Sequence, residues 1–252
     1  MTEVLLEARD LQKRFGGLLA TDHLSLALRR GEIHALIGPN GAGKTTALAQ
    51  LSGELAPDAG RIHHRGEDIT ALDMPGRARR GIARSFQITA VFEGLSALEN
   101  VALAVQARAG HHFRLLRRAA RDETRMAPAR ELLERVGLAG AAATPAATLA
   151  HGQRRQLEIA MALALRPEVL LLDEPMAGMG QAEGEALASL LESLRDEHAI
   201  LLVEHDVHLV FRLADRVSVL VAGAVLASGP PAEVRADPAV QQAYLAEMSD
   251  GA

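Results

Sequence analysis

The sequence predicts an α/β fold with an inserted helical lobe, and three features predict it. Short aliphatic segments at residues 33–37, 169–172, 200–203 and 217–221 alternate with stretches of helical spacing. The first runs into Gly38-Pro39-Asn40-Gly41-Ala42-Gly43-Lys44-Thr45-Thr46, whose G-x-x-x-x-G-K-T pattern wraps the phosphates of a nucleotide. The second ends on Asp173-Glu174, a pair of carboxylates at the strand end where open α/β sheets bind ligands.

The elements follow in order. Leu24, Leu26 and Leu28 alternate as on a half-buried strand, and Arg29-Arg30-Gly31-Glu32 reads as a turn. Residues 33–37 form a more buried strand, the glycine loop follows, and residues 45–55 form a helix. Pro57-Asp58-Ala59-Gly60 is a turn before a short strand at 61–64. Residues 98–108 and 128–136 are helical, with Gly137 as the stop signal of the second. Over 153–165, Leu157, Ala160, Met161 and Ala164 recur at helical spacing, and Arg166-Pro167 ends that helix. A buried strand at 169–172 precedes a helix at 183–197 with the stripe Leu187, Leu190, Leu191 and Leu194. After the strand at 200–203, Asp206 caps a helix over 207–214. Strands at 217–221 and 224–227 meet at Ala222-Gly223, and residues 238–248 make a tail helix. One domain results: a core of 1–94 and 165–236, a helical lobe at 95–164 and a tail at 237–252.

Composition narrows the chemistry. Apolar residues make up 48% of the chain, enough for a core, yet there are only five Phe, one Tyr and no Trp. Ala, Leu and Val must fill the interior. A net charge of -5 excludes a nucleic-acid-binding surface for the chain as a whole. The lack of cysteine excludes disulfides, Cys-based metal sites and thiol catalysis. Residues 1–10 lack the apolar h-region of a signal peptide. The longest apolar segments, 169–172 and 217–226, are far too short to cross a bilayer, so membrane association must go through a partner or the surface.

The strand–loop–helix order makes a phosphate site, because backbone N–H groups converge there at the positive end of a helix. Lys44 should reach the β- and γ-phosphates, and Thr45 should place its hydroxyl on Mg²⁺. Thr46 either contacts a phosphate or caps the helix. Asp173 would bind Mg²⁺ through water, and Glu174 would act as general base on an attacking water. A third strand delivers Glu204-His205, where His205 would bond the γ-phosphate or align water. The pairs His63-His64 and His111-His112 carry no metal-ligand pattern and read as loop or edge residues.

With these residues in view, the chain resembles the ATP-binding subunit of an ABC transporter. Residues 38–46 resemble the Walker A loop, 170–174 the Walker B strand with its glutamate, and His205 the switch histidine. Phe15 matches the aromatic that stacks on adenine, and Gln87 the glutamine that senses Mg²⁺ and water. Leu149-Ala150-His151-Gly152-Gln153 resembles the family signature L-S-G-G-Q, keeping the first Leu and the final Gly-Gln. Ala150 lacks the usual hydroxyl; His151 either compensates or faces the transporter. Ala177-Gly178-Met179-Gly180 stands where the family has its D-loop, with Gly180 in place of Asp. The resemblance covers residues 6–247. It implies a P-loop NTPase core with an antiparallel β subdomain, ATP and Mg²⁺ as cofactors, and two chains closing head to tail over two ATPs. Leu149 to Gln153 of one chain would then complete the other chain's site.

The signature helix, Glu204-His205-Asp206-Val207 and the tail 237–245 resemble the branched-chain amino-acid uptake group, specifically its longer ATPase subunit. Import of branched-chain or other amino acids is the leading expectation. Urea or amide import and lipopolysaccharide export share the pattern, and a non-transport ABC protein acting on nucleic acid or the ribosome is the alternative of another class. The implied partners are integral membrane permease subunits, a second ABC ATPase subunit in a homodimer or heterodimer and, indirectly, a periplasmic binding protein, with no nucleic acid. The implied location is peripheral, on the cytoplasmic face of the inner membrane. Arg77, Arg79, Arg80 and Arg84, like Arg114, Arg117, Arg118, Arg121 and Arg125, read as a solvated face or as contacts to anionic lipid or a membrane subunit.

Overall fold

The computed structural model describes residues 3–85, 91–108 and 123–243. Two sheets organise them. Strands β1 (Val4–Phe15), β2 (Leu18–Arg29), β4 (Ala59–His64) and β5 (Glu67–Asp68) form an antiparallel sheet in the order β2-β1-β4-β5. Strands β3 (Glu32–Ile37), β6 (Ile82–Arg84), β7 (Val169–Asp173), β8 (Ala199–Val203), β9 (Arg216–Val221) and β10 (Ala224–Gly229) form the second, in the order β10-β9-β3-β8-β7-β6. That sheet is parallel except for the β9–β10 hairpin. The helices are α1 (Lys44–Ser52), α2 (Met74–Arg79), α3 (Ala97–Arg108), α4 (Glu123–Arg135), α5 (His151–Ala164), α6 (Gln181–Leu194), α7 (Val207–Leu213) and α8 (Pro231–Ala236). Residues 238–243 are helical as well.

The unbroken aliphatic runs are explained by burial on both faces. In β7, Leu170 and Leu172 join a cluster with α3, α4, α5 and α6, whereas Val169 and Leu171 face α1 and the antiparallel sheet. In β8, Ile200 and Leu202 face the first group and Leu201 and Val203 the second. The lobe helices therefore share one apolar cluster with the underside of the parallel sheet. A third cluster packs β3 and β9 against Val210 of α7 and Val234 of α8.

Several elements differ from the sequence expectation. Helix α4 starts at Glu123, so Pro128 lies inside it; the buried stripe Met126, Ala129 and Leu133 continues the apolar face above the proline. Helix α6 ends at Leu194, and Arg195–Glu197 form a 3-10 turn. Helices α2 and α8 and strands β1, β5 and β6 have no counterpart in the sequence expectation. The pair His63-His64 lies in strand β4, and His64 is buried.

Candidate nucleotide site

Strand register brings the sequence-predicted residues together. Strand β8 lies between β3 and β7, and its Val203 pairs with both Leu36 and Asp173. Three neighbouring strands thus release the chain at one level: into the glycine loop, into Glu174, and into Glu204-His205. On the far side of β7, Arg84 of β6 pairs with Leu171. The chain then runs toward Gln87, which lies outside the described residues.

The glycine loop is held between the two sheets. Gly43 N-caps α1 at φ 101, and a Cβ there would stand 2.1 Å from Ala20 O of β2. Gly223, in the β9–β10 turn, donates its N–H to Ala42 O at 2.9 Å. Among the described residues no side chain caps α1, so the positive end of this helix suits an anion. The cap is Gly43, which removes the capping alternative for Thr46. Lys44 Nζ donates to Gly38 O at 2.6 Å and Pro39 O at 2.9 Å, folding its ammonium over the loop. Asn40 and Thr45 are exposed, while Gly38, Pro39 and Thr46 are half-buried.

Asp173 is almost fully enclosed, with 1% of its side chain exposed. Its Oδ2 accepts from Arg84 Nη2 at 3.0 Å. Among the described residues, its buried Oδ1 accepts no hydrogen bond. Burial pushes the carboxyl above its ordinary value, Arg84 pulls it back, and Glu174 pushes it up again. A buried carboxylate oxygen with no hydrogen-bond donor among the described residues, at the strand level from which the glycine loop departs, suits a hard, oxygen-seeking cation such as Mg²⁺. Glu174 follows in a left-handed turn at φ 44, its N–H bonded to Val203 O at 2.9 Å. A non-glycine residue held there costs about 1–2 kcal/mol, and such strain concentrates at working sites.

Glu204 is buried, and burial pushes its carboxyl up. It accepts from Met176 N at 3.0 Å and from His205 N at 3.2 Å. It therefore fastens the loop after β7 to the loop after β8, leaving the His205 ring 65% exposed. Asp206 caps α7 by accepting from Leu209 N at 3.1 Å.

The remaining predicted residues sit apart from this row. Phe15 ends β1, half exposed, with Lys13 Nζ 5.9 Å from its ring centroid. Leu149 is buried, and Ala150 N-caps α5 without any side-chain acceptor. Gln153 returns half of a capping box, its Oε1 accepting from Ala150 N at 3.1 Å. Gly152 is crowded by α6: a Cβ there would stand 3.0 Å from the Glu183 carboxyl carbon. His151 Nε2 lies 3.0 Å from Ala177 O, so its ring joins the start of α5 to the loop after β7.

Comparison with known proteins decides the family. The ABC transporter family profile matches residues 21–177, and a branched-chain amino acid ATP-binding cassette transporter profile matches 224–245. The chain is 42% identical to the high-affinity branched-chain amino acid transport ATP-binding protein LivG of Salmonella typhimurium, over 98% of this chain and 100% of the relative. It is 40% identical to BraF of Pseudomonas aeruginosa, a protein of the same description, with the same coverage of 98% and 100%. A solved ABC transporter ATP-binding cassette in its ADP conformation is 27% identical and superposes with a TM-score of 0.86, covering 97% of this chain and 99% of that one.

The chain belongs to the ABC transporter ATP-binding family.

It is a nucleotide-binding subunit that hydrolyses ATP to power a membrane transporter, and it falls in the branched-chain amino-acid group of ABC ATPases. Among the described residues no helix is long and apolar enough to cross a membrane.

Two of the four arginines before Gln87 correct the reading of a solvated or lipid-facing set. Arg77 is 0% exposed, and Arg84 has 6% of its side chain exposed and is ion-paired to Asp173. Arg79 and Arg80 are exposed. The sequence analysis assigns Glu204 no role, although it follows a buried aliphatic strand as Glu174 does. That repeat of the pattern was the available signal. For Arg77 the sequence carries none.

Proposed function

We propose that this ABC subunit drives import of branched-chain amino acids and that the row above Leu36, Val203 and Asp173 is its ATP site. That shared level of three strand ends carries the reading. Lys44 and backbone N–H groups of the glycine loop, within Gly38 to Thr46, hold the β- and γ-phosphates. Phe15 covers the adenine. Mg²⁺, held by Thr45, Asp173 and Gln87, would neutralise charge on the phosphate oxygens. Glu174 takes a proton from the attacking water, and His205 orients it at the γ-phosphate. Leu149 to Gln153 serve the site of a second ABC ATPase subunit, identical or related. With Ala150 lacking a hydroxyl, the open N–H groups of α5 make that contact.

The cargo follows the descriptions of LivG and BraF and the match over residues 224–245. The subunit works at the cytoplasmic face of the inner membrane beneath two permease subunits, fed by a periplasmic binding protein. Residues 1–94 and 165–236 form the nucleotide core, 95–164 the lobe that meets the permease, and 237–252 the tail.

The test is uptake into vesicles carrying this subunit with its permeases. ATP-dependent leucine uptake is expected. Glu174→Gln should retain ATP binding, slow hydrolysis at least about 100-fold and trap a closed dimer. Lys44→Ala should lose nucleotide affinity. Urea uptake without leucine uptake would overturn the cargo; unchanged phosphate release in Glu174→Gln would overturn the general base.

A further inference from the structure

We propose that Arg84 is a positioning residue for Asp173: it pins one carboxylate oxygen so that the other is presented to the cation bound with the nucleotide. The inference rests on the nucleotide–Mg²⁺ reading of the site. Arg84 ends β6 in register with Leu171, and its guanidinium reaches forward along β7 to Asp173. Nη2 holds Oδ2 at 3.0 Å, while Oδ1 is buried and accepts no hydrogen bond among the described residues. The same guanidinium pairs through Nη1 with Glu54, just beyond α1, and lies 3.5 Å from Ser52 Oγ at the end of that helix. One planar fork thus ties the strand that leads to Gln87, the acid of β7 and the far end of the phosphate-loop helix.

Stability alone does not account for this arrangement. An enclosed ion pair loses in desolvation much of what it gains in attraction, and an apolar pair of similar volume is often as stable. The fork instead fixes a direction. With Oδ2 engaged, the carboxylate cannot turn its second oxygen away from the loop. Lysine would keep the charge but not the planar grip on two carboxylates. Groups that orient a metal-holding carboxylate typically contribute tenfold or more to metal affinity.

The experiment measures affinity for a non-hydrolysable ATP analogue in Mg²⁺ and again in EDTA. In the wild type Mg²⁺ should tighten binding. In Arg84→Met the EDTA affinity should be unchanged and the Mg²⁺-dependent gain reduced about tenfold. Arg84→Lys should recover only part of it, and carries the test if the Met variant does not fold. An undiminished Mg²⁺ gain in Arg84→Met, an equal loss in both media, or full rescue by lysine overturns the positioning role alone. A wild-type chain indifferent to Mg²⁺ overturns the metal reading and the role of Arg84 with it.

Discussion

Arg77 shows how far a single side chain can act from the chemistry it supports. The last carbonyls of α1 have no partner within the helix and lie at its negative end. Arg77 Nη1 donates to Gln50 O at 2.6 Å and Leu51 O at 2.9 Å, while Nε and Nη2 donate to Leu72 O and Thr70 O, each at 3.1 Å. The guanidinium is fully buried, and burial lowers its pKa from the ordinary value without discharging it at neutral pH. Four bonds to backbone carbonyls replace the water it gives up. Gln50 O also accepts from Gly53 N at 3.2 Å, so Arg77→Met would strip the guanidinium donor chiefly from Leu51, Leu72 and Thr70, at about 1–3 kcal/mol for each carbonyl that water cannot reach. Relaxation of the loop reduces the sum, so a loss of about 3 kcal/mol is expected in urea denaturation. At about 2–4 °C per kcal/mol for a chain of this size, the melting temperature should fall by about 6–12 °C. A loss below about 1 kcal/mol would mean that water replaces the cap.

At the scale of elements, the glycine loop was the most legible part of the chain, because its conformation is written in residue types. Gly43 and Gly41 nevertheless differ in a way the pattern does not reveal. A Cβ at Gly43 would meet Ala20 O at 2.1 Å, whereas one at Gly41, φ 78, would meet nothing within 4 Å. Gly43→Ala must displace backbone and should weaken nucleotide binding more than tenfold, the effect of about 1.4 kcal/mol. Gly41→Ala carries only the left-handed strain of about 1 kcal/mol and should bind more tightly than Gly43→Ala in the same titration. Equal losses would show that conformation, not contact with β2, fixes the loop. The buried strands of the parallel sheet were legible for a related reason, since burial on both faces demands unbroken aliphatic runs. Strand β1 was not: Asp10 at φ 57 and register shifts after Ala8 break its alternation. Strand β6 is three residues long, too short to show a period. Arg84 escaped because its partner Asp173 lies on a neighbouring strand, and pairing across strands has no signature within one segment.

The whole molecule has a titratable joint between its two sheets. His34, in central strand β3, is 1% exposed. Its Nδ1 lies 3.2 Å from Ala27 O of β2, in the antiparallel sheet, and its Nε2 lies 2.8 Å from Ser218 Oγ of β9, in the parallel one. Glu32 stands 3.8 Å from the ring, yet burial dominates and lowers the imidazole pKa to about 4. An unfolded histidine titrates near 6.5, so between pH 6.5 and about 4 the unfolded chain binds a proton that the folded chain refuses. This contribution to stability is complete above pH 6.5 and is lost as the pH falls through that window, at up to about 1.4 kcal/mol per pH unit. Buried His64 and His198 are shifted the same way, also by burial first. Asp173 and Glu204 act in the opposite sense, because their raised carboxyls hold protons more tightly in the fold than outside it, and they offset part of the loss. Comparing His34→Gln with the wild type isolates the histidine, since these other groups are common to both. Glutamine can donate to Ala27 O but carries no titrating proton, and it should cost stability at pH 7 through imperfect packing. Between pH 7 and pH 5 the wild type should lose about 2 kcal/mol more than the variant in urea denaturation. Parallel pH dependence in the two proteins would mean that the imidazole accepts its proton inside the fold, and that the joint opens before the sheets separate.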